Sequence, residues 1–312
     1  MLVVLILITV AASLPFENEE AQSTVYMCPE STESTYTKVL ALARSRRDTP
    51  GFHYIFVNAT GDVEETRGPS GTQIEIAGSP NATMKAMMAA ANVVAKMTKY
   101  MPSSIFTKLA SSARVGVFTR AEKLIVFHEY SSLANGNCGK NCTGSCKHTC
   151  TFDGRKFENL AGVGGTRAVV LDDNVLCTAH DPYRKTQNIL SHEFTHTIHD
   201  HALTAAVKHQ ITTAYNTAKS HSTWVLSSYA MSNDHEYLAE GGSVFFFVNK
   251  DKTTSGNMVS CGAHLCSNET AAREHLRSAD PGLYNVLSYI FTDNRPQLLS
   301  GLTLCPPPTV TG

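Results

Sequence analysis

Two histidines and a glutamate are the side chains whose types and spacing could do chemistry. His192, Glu193 and His196 form H-E-x-x-H, which on a helix stacks two imidazoles one turn apart with a carboxylate beside them. Leu190, Phe194 and Ile198 recur every fourth residue and predict one apolar stripe along the same helix. At about 100° per residue the two imidazoles fall on another side, with Glu193 at its edge. One side can then pack into a core while the other offers two nitrogen donors to a cleft, which is the geometry of a metal site.

A third donor must come from elsewhere. His199 is nearest in sequence, but on a continuous helix it sits about 10.5 Å along the axis from His192. A single zinc with nitrogen bonds of about 2.0–2.1 Å cannot reach both. The metzincin spacing would need glycine and histidine where His199 and Ala202 stand, so that pattern fails. Downstream, Glu236 and Glu240 are four apart and share one face of a predicted helix. A surface pair of carboxylates is the plain alternative for such spacing. This pair, however, runs through Gly241-Gly242 into Val244-Phe245-Phe246-Phe247-Val248, a segment too apolar to be exposed, and a carboxylate at the edge of a buried run calls for a cation.

His192-Glu193-Phe194-Thr195-His196, Tyr229 and Glu236-Tyr237-Leu238-Ala239-Glu240 together resemble the catalytic domain of the anthrax lethal-factor family of zinc peptidases, a branch of the gluzincins. The firm part of the likeness covers roughly residues 187–248. The resemblance implies that His192, His196 and Glu236 bind Zn2+, that Glu193 is the catalytic base, and that Tyr229 donates a hydrogen bond to the transition state. By analogy with gluzincins more widely, Glu240 would accept a hydrogen bond from a ligand histidine. It also implies an α+β, zincin-like metallopeptidase fold: a small mixed sheet packed on the active-site helix, with a mainly helical C-terminal part.

The elements that must position these residues are legible in part. Phe52 to Asn58 and Thr72 to Ile76 read as strands, and residues 82–99 as a long helix whose Met84, Met87, Met88, Val93, Val94 and Met97 face a sheet. Arg114 to Thr119, Lys123 to His128 and Arg167 to Asp172 read as further strands. The last would form the upper rim of the cleft or lie in the sheet interior. Helical patterning returns from Glu269 to Ser278 and, after Pro281-Gly282, from Leu283 to Phe291. His199 and His201 are expected to be solvated at a helix end, and His180 in a loop.

Residues 1–13 read as a signal peptide: an apolar run too short to span a bilayer, then small residues at its exit. Residues 14–47 form an N-terminal extension or prosegment ending in Arg44-Ser45-Arg46-Arg47, either a processing site or a basic last helical turn. Residues 48–312 are the expected metallopeptidase domain, with a sheet-containing half at 48–185 and a helical half at 186–312. Nine cysteines suit an oxidising compartment. Cys138, Cys142, Cys146 and Cys150 are expected to form disulfides rather than a zinc cluster. Sequons stand at Asn58, Asn81, Asn141 and Asn268.

A net charge of −1 with scattered basic residues gives no footprint for nucleic acid or an anionic membrane. No later stretch reaches membrane-spanning length. The expectation is a secreted, extracellular glycoprotein that cleaves a protein or peptide substrate, with no nucleic-acid partner and no membrane span in the mature chain. The contrasting expectation is a disulfide-stabilised secreted recognition protein that lacks zinc or activity.

Overall fold

The computed structural model describes residues 51–305. The expected leader, the expected N-terminal extension or prosegment and one of the nine cysteines, Cys28, fall outside the described residues. The described part is mixed α+β. Six strands, β1 (His53–Asn58), β2 (Val63–Glu64), β3 (Gln73–Gly78), β4 (Arg114–Phe118), β5 (Gly162–Val163) and β6 (Arg167–Leu171), form one sheet in the order β2-β1-β3-β4-β6-β5. The β3/β4 and β4/β6 pairs are parallel, and β1/β2, β1/β3 and β5/β6 are antiparallel.

Both faces of the sheet are covered, which is what near-continuous apolar strands such as Ala168-Val169-Val170-Leu171 require. On one face lie α1 (Met84–Thr98), α2 (Ser103–Ser112) and α4 (Ile189–Ala202), in a core with Ile55, Ile76, Val115 and Val170. On the other, Phe118, Phe127, Phe157 and Val169 form a smaller cluster. α3 (Asp172–Val175) follows β6 directly. α5 (Ala205–Ser220), α6 (Asp234–Phe245), α7 (Glu269–Ala279) and α8 (Pro281–Thr292) build the C-terminal part with a short β7–β8 hairpin (Ser260–Cys261, His264–Leu265).

The expected strand over Lys123 to His128 is instead two 3-10 turns, Leu124–Val126 and His128–Leu133. Leu124 and Phe127 are buried and Ile125 is only partly covered, so the apolar run plugs the underside of the sheet rather than pairing with it. Met87 and Met97 are fully buried, but Met84 and Met88 are 50% and 44% exposed. They fall outside the roughly 100°-wide stripe that faces the core. β6, expected as either rim or interior, is interior: β5 pairs outside it and forms the edge of the sheet.

Four disulfides join Cys138–Cys146, Cys142–Cys150, Cys177–Cys305 and Cys261–Cys266. The first two staple a loop whose regular structure is limited to short 3-10 turns, Gly136–Cys138 and Gly144–Thr149. The third ties the end of the described chain to the segment after α3. Among the described residues, no helix is long and apolar enough to cross a membrane.

The helix pair α4/α6 is the centre of the C-terminal part, and glycines set its spacing. A Cβ on Gly242 would stand 2.8 Å from Thr195 Oγ1 on α4, and one on Gly241 2.8 Å from Leu283 Cδ2 on α8. α6 therefore fits between its neighbours because it bears no side chain at these two positions.

Candidate metal centre

α4 begins at Asn188, whose side chain accepts from the Ser191 N–H and so satisfies one of the orphan donors of the first turn. Leu190, Phe194 and Ile198 are fully buried, as the stripe predicted. This leaves His192 and His196 facing a cleft of about 330 Å³ lined also by Glu193, Tyr229, Glu236 and Glu240. α6 is capped by Asn233, which accepts from the Glu236 N–H, so Glu236 enters the helix with its side chain directed at α4.

The two imidazoles and the Glu236 carboxylate meet. His192 Nε2 lies 3.0 Å from Glu236 Oε2, His196 Nε2 lies 3.3 Å from the same oxygen, and the two Nε2 atoms are 3.1 Å apart. Donors held at about 2.0–2.1 Å around a tetrahedral ion stand roughly 3.3 Å from one another, so the three atoms already describe one face of such a site. Glu193 is also within 4.8 Å of both imidazole nitrogens. The shorter approach of Glu236 makes it the better third donor and leaves Glu193 beside the site.

The donor chemistry supports the same reading. His192 Nδ1 faces Glu240 Oε1 at 3.3 Å. If Nδ1–H donates there, Nε2 presents a lone pair, and that lone pair meets another imidazole nitrogen and a carboxylate oxygen. Three acceptors converging on one point need a cation or extra protons. Without a metal, protons serve. Burial opposes charge on His192, but its hydrogen bonds to Glu236 and Glu240 outweigh it and raise its pKa well above the usual imidazole value. His196 is raised too, burial again being overcome by Glu236. Burial would push the Glu236 carboxyl up, yet the two imidazoles hold it far below the carboxylate range. Burial is the main cause of the raised pKa of Glu193, although the Gly164 N–H bonds its carboxylate.

Tyr229 sits in a 3-10 turn, Tyr229–Met231, and its hydroxyl donates to Glu236 Oε1 at 2.9 Å. Burial and the charge of Glu236 push its pKa up, so it stays a protonated donor. Glu240 is buried and also accepts from Asn249. All six residues singled out from the sequence thus lie in one cleft.

Sequence reasoning missed the opposite wall. Phe152 stacks on Tyr229 with ring centroids 6.3 Å apart, and the Arg155 guanidinium lies 5.8 Å from the Tyr229 ring centroid while pairing with Asp153 at 2.8 Å. These residues follow the stapled loop, and no local spacing marks them. Tyr183 also lines the cleft, its pKa pushed up to about 12 by burial and the Glu193 charge. The expectation of solvated histidines fails for His199: it is 5% exposed and its Nδ1 is 2.8 Å from Asp200 Oδ1. His201 is half-buried, with Nε2 unbonded among the described residues. His180 is exposed, as expected.

The sheet edge completes the cleft. β5 and Gly164 run beside α4 so closely that a Cβ on Gly164 would stand 2.6 Å from His196 Cβ. Thr197 Oγ donates to the Gly165 carbonyl at 2.8 Å, and the Tyr130 hydroxyl donates to the Gly164 carbonyl at 3.0 Å, so the edge is fixed from both sides. No protein-family model matches this chain, and a search of curated proteins finds no match.

Proposed function

We propose that this chain is a secreted zinc metallopeptidase of zincin-like fold, akin to the lethal-factor branch of the gluzincins. The observation that carries the proposal is the meeting of His192 and His196 on α4 with Glu236 on α6 at 3.0–3.3 Å. Three protein donors facing a cleft suit a catalytic rather than a closed structural site. The mixed sheet, its antiparallel edge strand beside α4 and the helical C-terminal part are compatible with that fold. Four disulfides suit an extracellular setting.

In this reading His192, His196 and Glu236 would hold the ion. A zinc ion held there would supply Lewis acidity, for the scissile carbonyl and for a water made more acidic. Glu193 takes a proton from the attacking water and returns it to the leaving amine; its raised pKa suits a group that must both accept and give back. The Tyr229 hydroxyl turns to the scissile carbonyl oxygen as charge develops there. Glu240 fixes the His192 tautomer by accepting from Nδ1. An extended peptide would add to the free edge of β5, with alternate side chains entering the cleft.

The test is zinc content of the wild type beside Glu236→Ala and Glu240→Ala, with cleavage of a peptide library with and without chelator. Expected is one strongly held zinc in this site, lost in Glu236→Ala, and chelator-sensitive cleavage abolished in Glu193→Gln with metal retained. Metal lost in Glu240→Ala but kept in Glu236→Ala would overturn the ligand assignment. Cleavage indifferent to chelator would overturn the reaction.

A further inference from the structure

α4 and α6 bring together a second set of metal-ligating side chains. Asp200 follows His196 by four residues, so His192, His196 and Asp200 form one stripe along α4. On α6, His235 directly precedes Glu236. His199 Nδ1 lies 2.8 Å from Asp200 Oδ1, His235 Nδ1 lies 3.9 Å from the same oxygen, and the two imidazole centroids are 4.1 Å apart. One donor atom from each residue falls within 4.8 Å of the others. His199 is buried, and the half-buried Asp200 and His235 line the same cleft as the first site.

A histidine–aspartate hydrogen bond would account for His199 and Asp200 alone. It does not account for His235, whose Nδ1 is directed at the same oxygen from beyond hydrogen-bonding distance. Separations of 2.8 and 3.9 Å straddle the roughly 3.3 Å that two donors on one ion adopt. The nearby Lys208 ammonium donates to the Asp200 backbone carbonyl at 3.3 Å and leaves the carboxylate to the imidazoles. Elsewhere in the cleft Arg155 pairs with Asp153, and Glu236 faces His192 and His196, so Asp200 is the carboxylate that faces His199 and His235.

We propose that His199, Asp200 and His235 form a second divalent transition-metal site in the wall of the cleft. Two imidazoles and one carboxylate with open positions suit zinc and its neighbours in the first transition row. The midpoint of His199 and Asp200 lies about 8 Å along α4 from that of His192 and His196. Ions that share an attacking water stand about 3.5–4 Å apart. The second ion is therefore not a partner in activating water. It stands beside the substrate track, where its occupancy hinders the peptide and makes excess zinc inhibitory. Only this inhibitory consequence rests on the peptidase reading; the binding does not.

The experiment is zinc stoichiometry of the full chain equilibrated with zinc alone, for wild type, Asp200→Asn, His235→Gln and His196→Ala, with circular dichroism as a check of folding. Expected are two ions per chain for wild type and one for each variant, and loss of inhibition by excess zinc in Asp200→Asn. Wild type saturating at one ion that Asp200→Asn keeps would overturn the second site. So would two ions retained in both Asp200→Asn and His235→Gln. One ion kept in His196→Ala and lost in Asp200→Asn would support the second site while sinking the first.

Discussion

His192 Nδ1 stands 3.3 Å from Glu240 Oε1, on the side of the ring away from the Nε2 atom that faces Glu236. A Glu240 that accepts from Nδ1–H would fix the proton on that nitrogen and leave Nε2 free to serve as a donor to metal. Carboxylates that orient a ligand histidine typically contribute 10–100-fold in metal affinity. Glu240→Gln is expected to weaken zinc binding by about that range, measured by competition with a chromophoric chelator. Glu236→Ala is expected to lose far more. Equal affinities for Glu240→Gln and wild type would remove the orienting role.

Tyr229→Phe should keep its zinc and lose most turnover. A missing oxyanion donor costs about 2.7–4 kcal/mol, or roughly 10²–10³ in kcat. The hydroxyl rests on Glu236 rather than in the open cleft, so the loss should fall on kcat with KM little changed. Steady-state kinetics on a metal-replete sample would check this, and full activity would take Tyr229 out of the mechanism.

Gly164→Ala should damage the site without removing any donor. The added methyl would sit 2.6 Å from His196 Cβ and 2.9 Å from the Glu193 carbonyl oxygen, closer than real contacts allow. Overpacking of this kind costs about 1–3 kcal/mol. A lowered Tm together with weaker zinc retention is expected from calorimetry and metal analysis; an unshifted Tm would mean the edge yields freely.

Metal binding should strengthen as pH rises. His192 and His196 have folded-state pKa values raised above that of free imidazole. Their protonation stabilises the metal-free fold fully below an unfolded value of about 6.5, and this contribution fades as pH climbs through the raised folded values. Zinc needs both rings unprotonated. Glu236, held far below the carboxylate range, stays ionised throughout that window and adds no slope. The gain in Tm on adding zinc should therefore be small near pH 5.5 and grow towards pH 8, and a pH-independent gain would contradict the ligand set.

Removing Cys177–Cys305 should destabilise the chain more than removing Cys261–Cys266. Sequence separations of 128 and 5 residues give loop-entropy contributions of about 5 and about 2 kcal/mol respectively. Denaturant melts of the two double serine variants would rank them, and the reverse order would show that native packing, not chain entropy, governs.

What the sequence made legible was what local periodicity encodes. The stripe Leu190, Phe194 and Ile198 specified which side of α4 is buried, and with it the side that His192 and His196 present. The i, i+4 spacing of Glu236 and Glu240 placed both carboxylates towards α4. What lay beyond reach was long-range. Lys123 to His128 is apolar enough for a strand, but the β4–β6 pairing leaves it no partner, so it coils beneath the sheet. Phe152 and Arg155 reach Tyr229 only because the polypeptide folds back there, and two disulfides rather than any hydrophobic pattern shape the loop before them. His199 was misjudged because its burial comes from α6, contributed by residues more than thirty positions away.

Gly241 and Gly242 have a bearing on the ion that their chemistry alone would not suggest. A glycine within a helix is about 0.8–1.0 kcal/mol less favourable than alanine, so α6 is intrinsically weak directly after Glu240. In exchange, its backbone can approach Thr195 closely enough for a short glutamate to span the gap to the neighbouring helix. The grip of His192, His196 and Glu236 on an ion would thus be tuned by interhelical distance, and a methyl at Gly242 would loosen it by pushing α6 off Thr195 while every ligand remained in place.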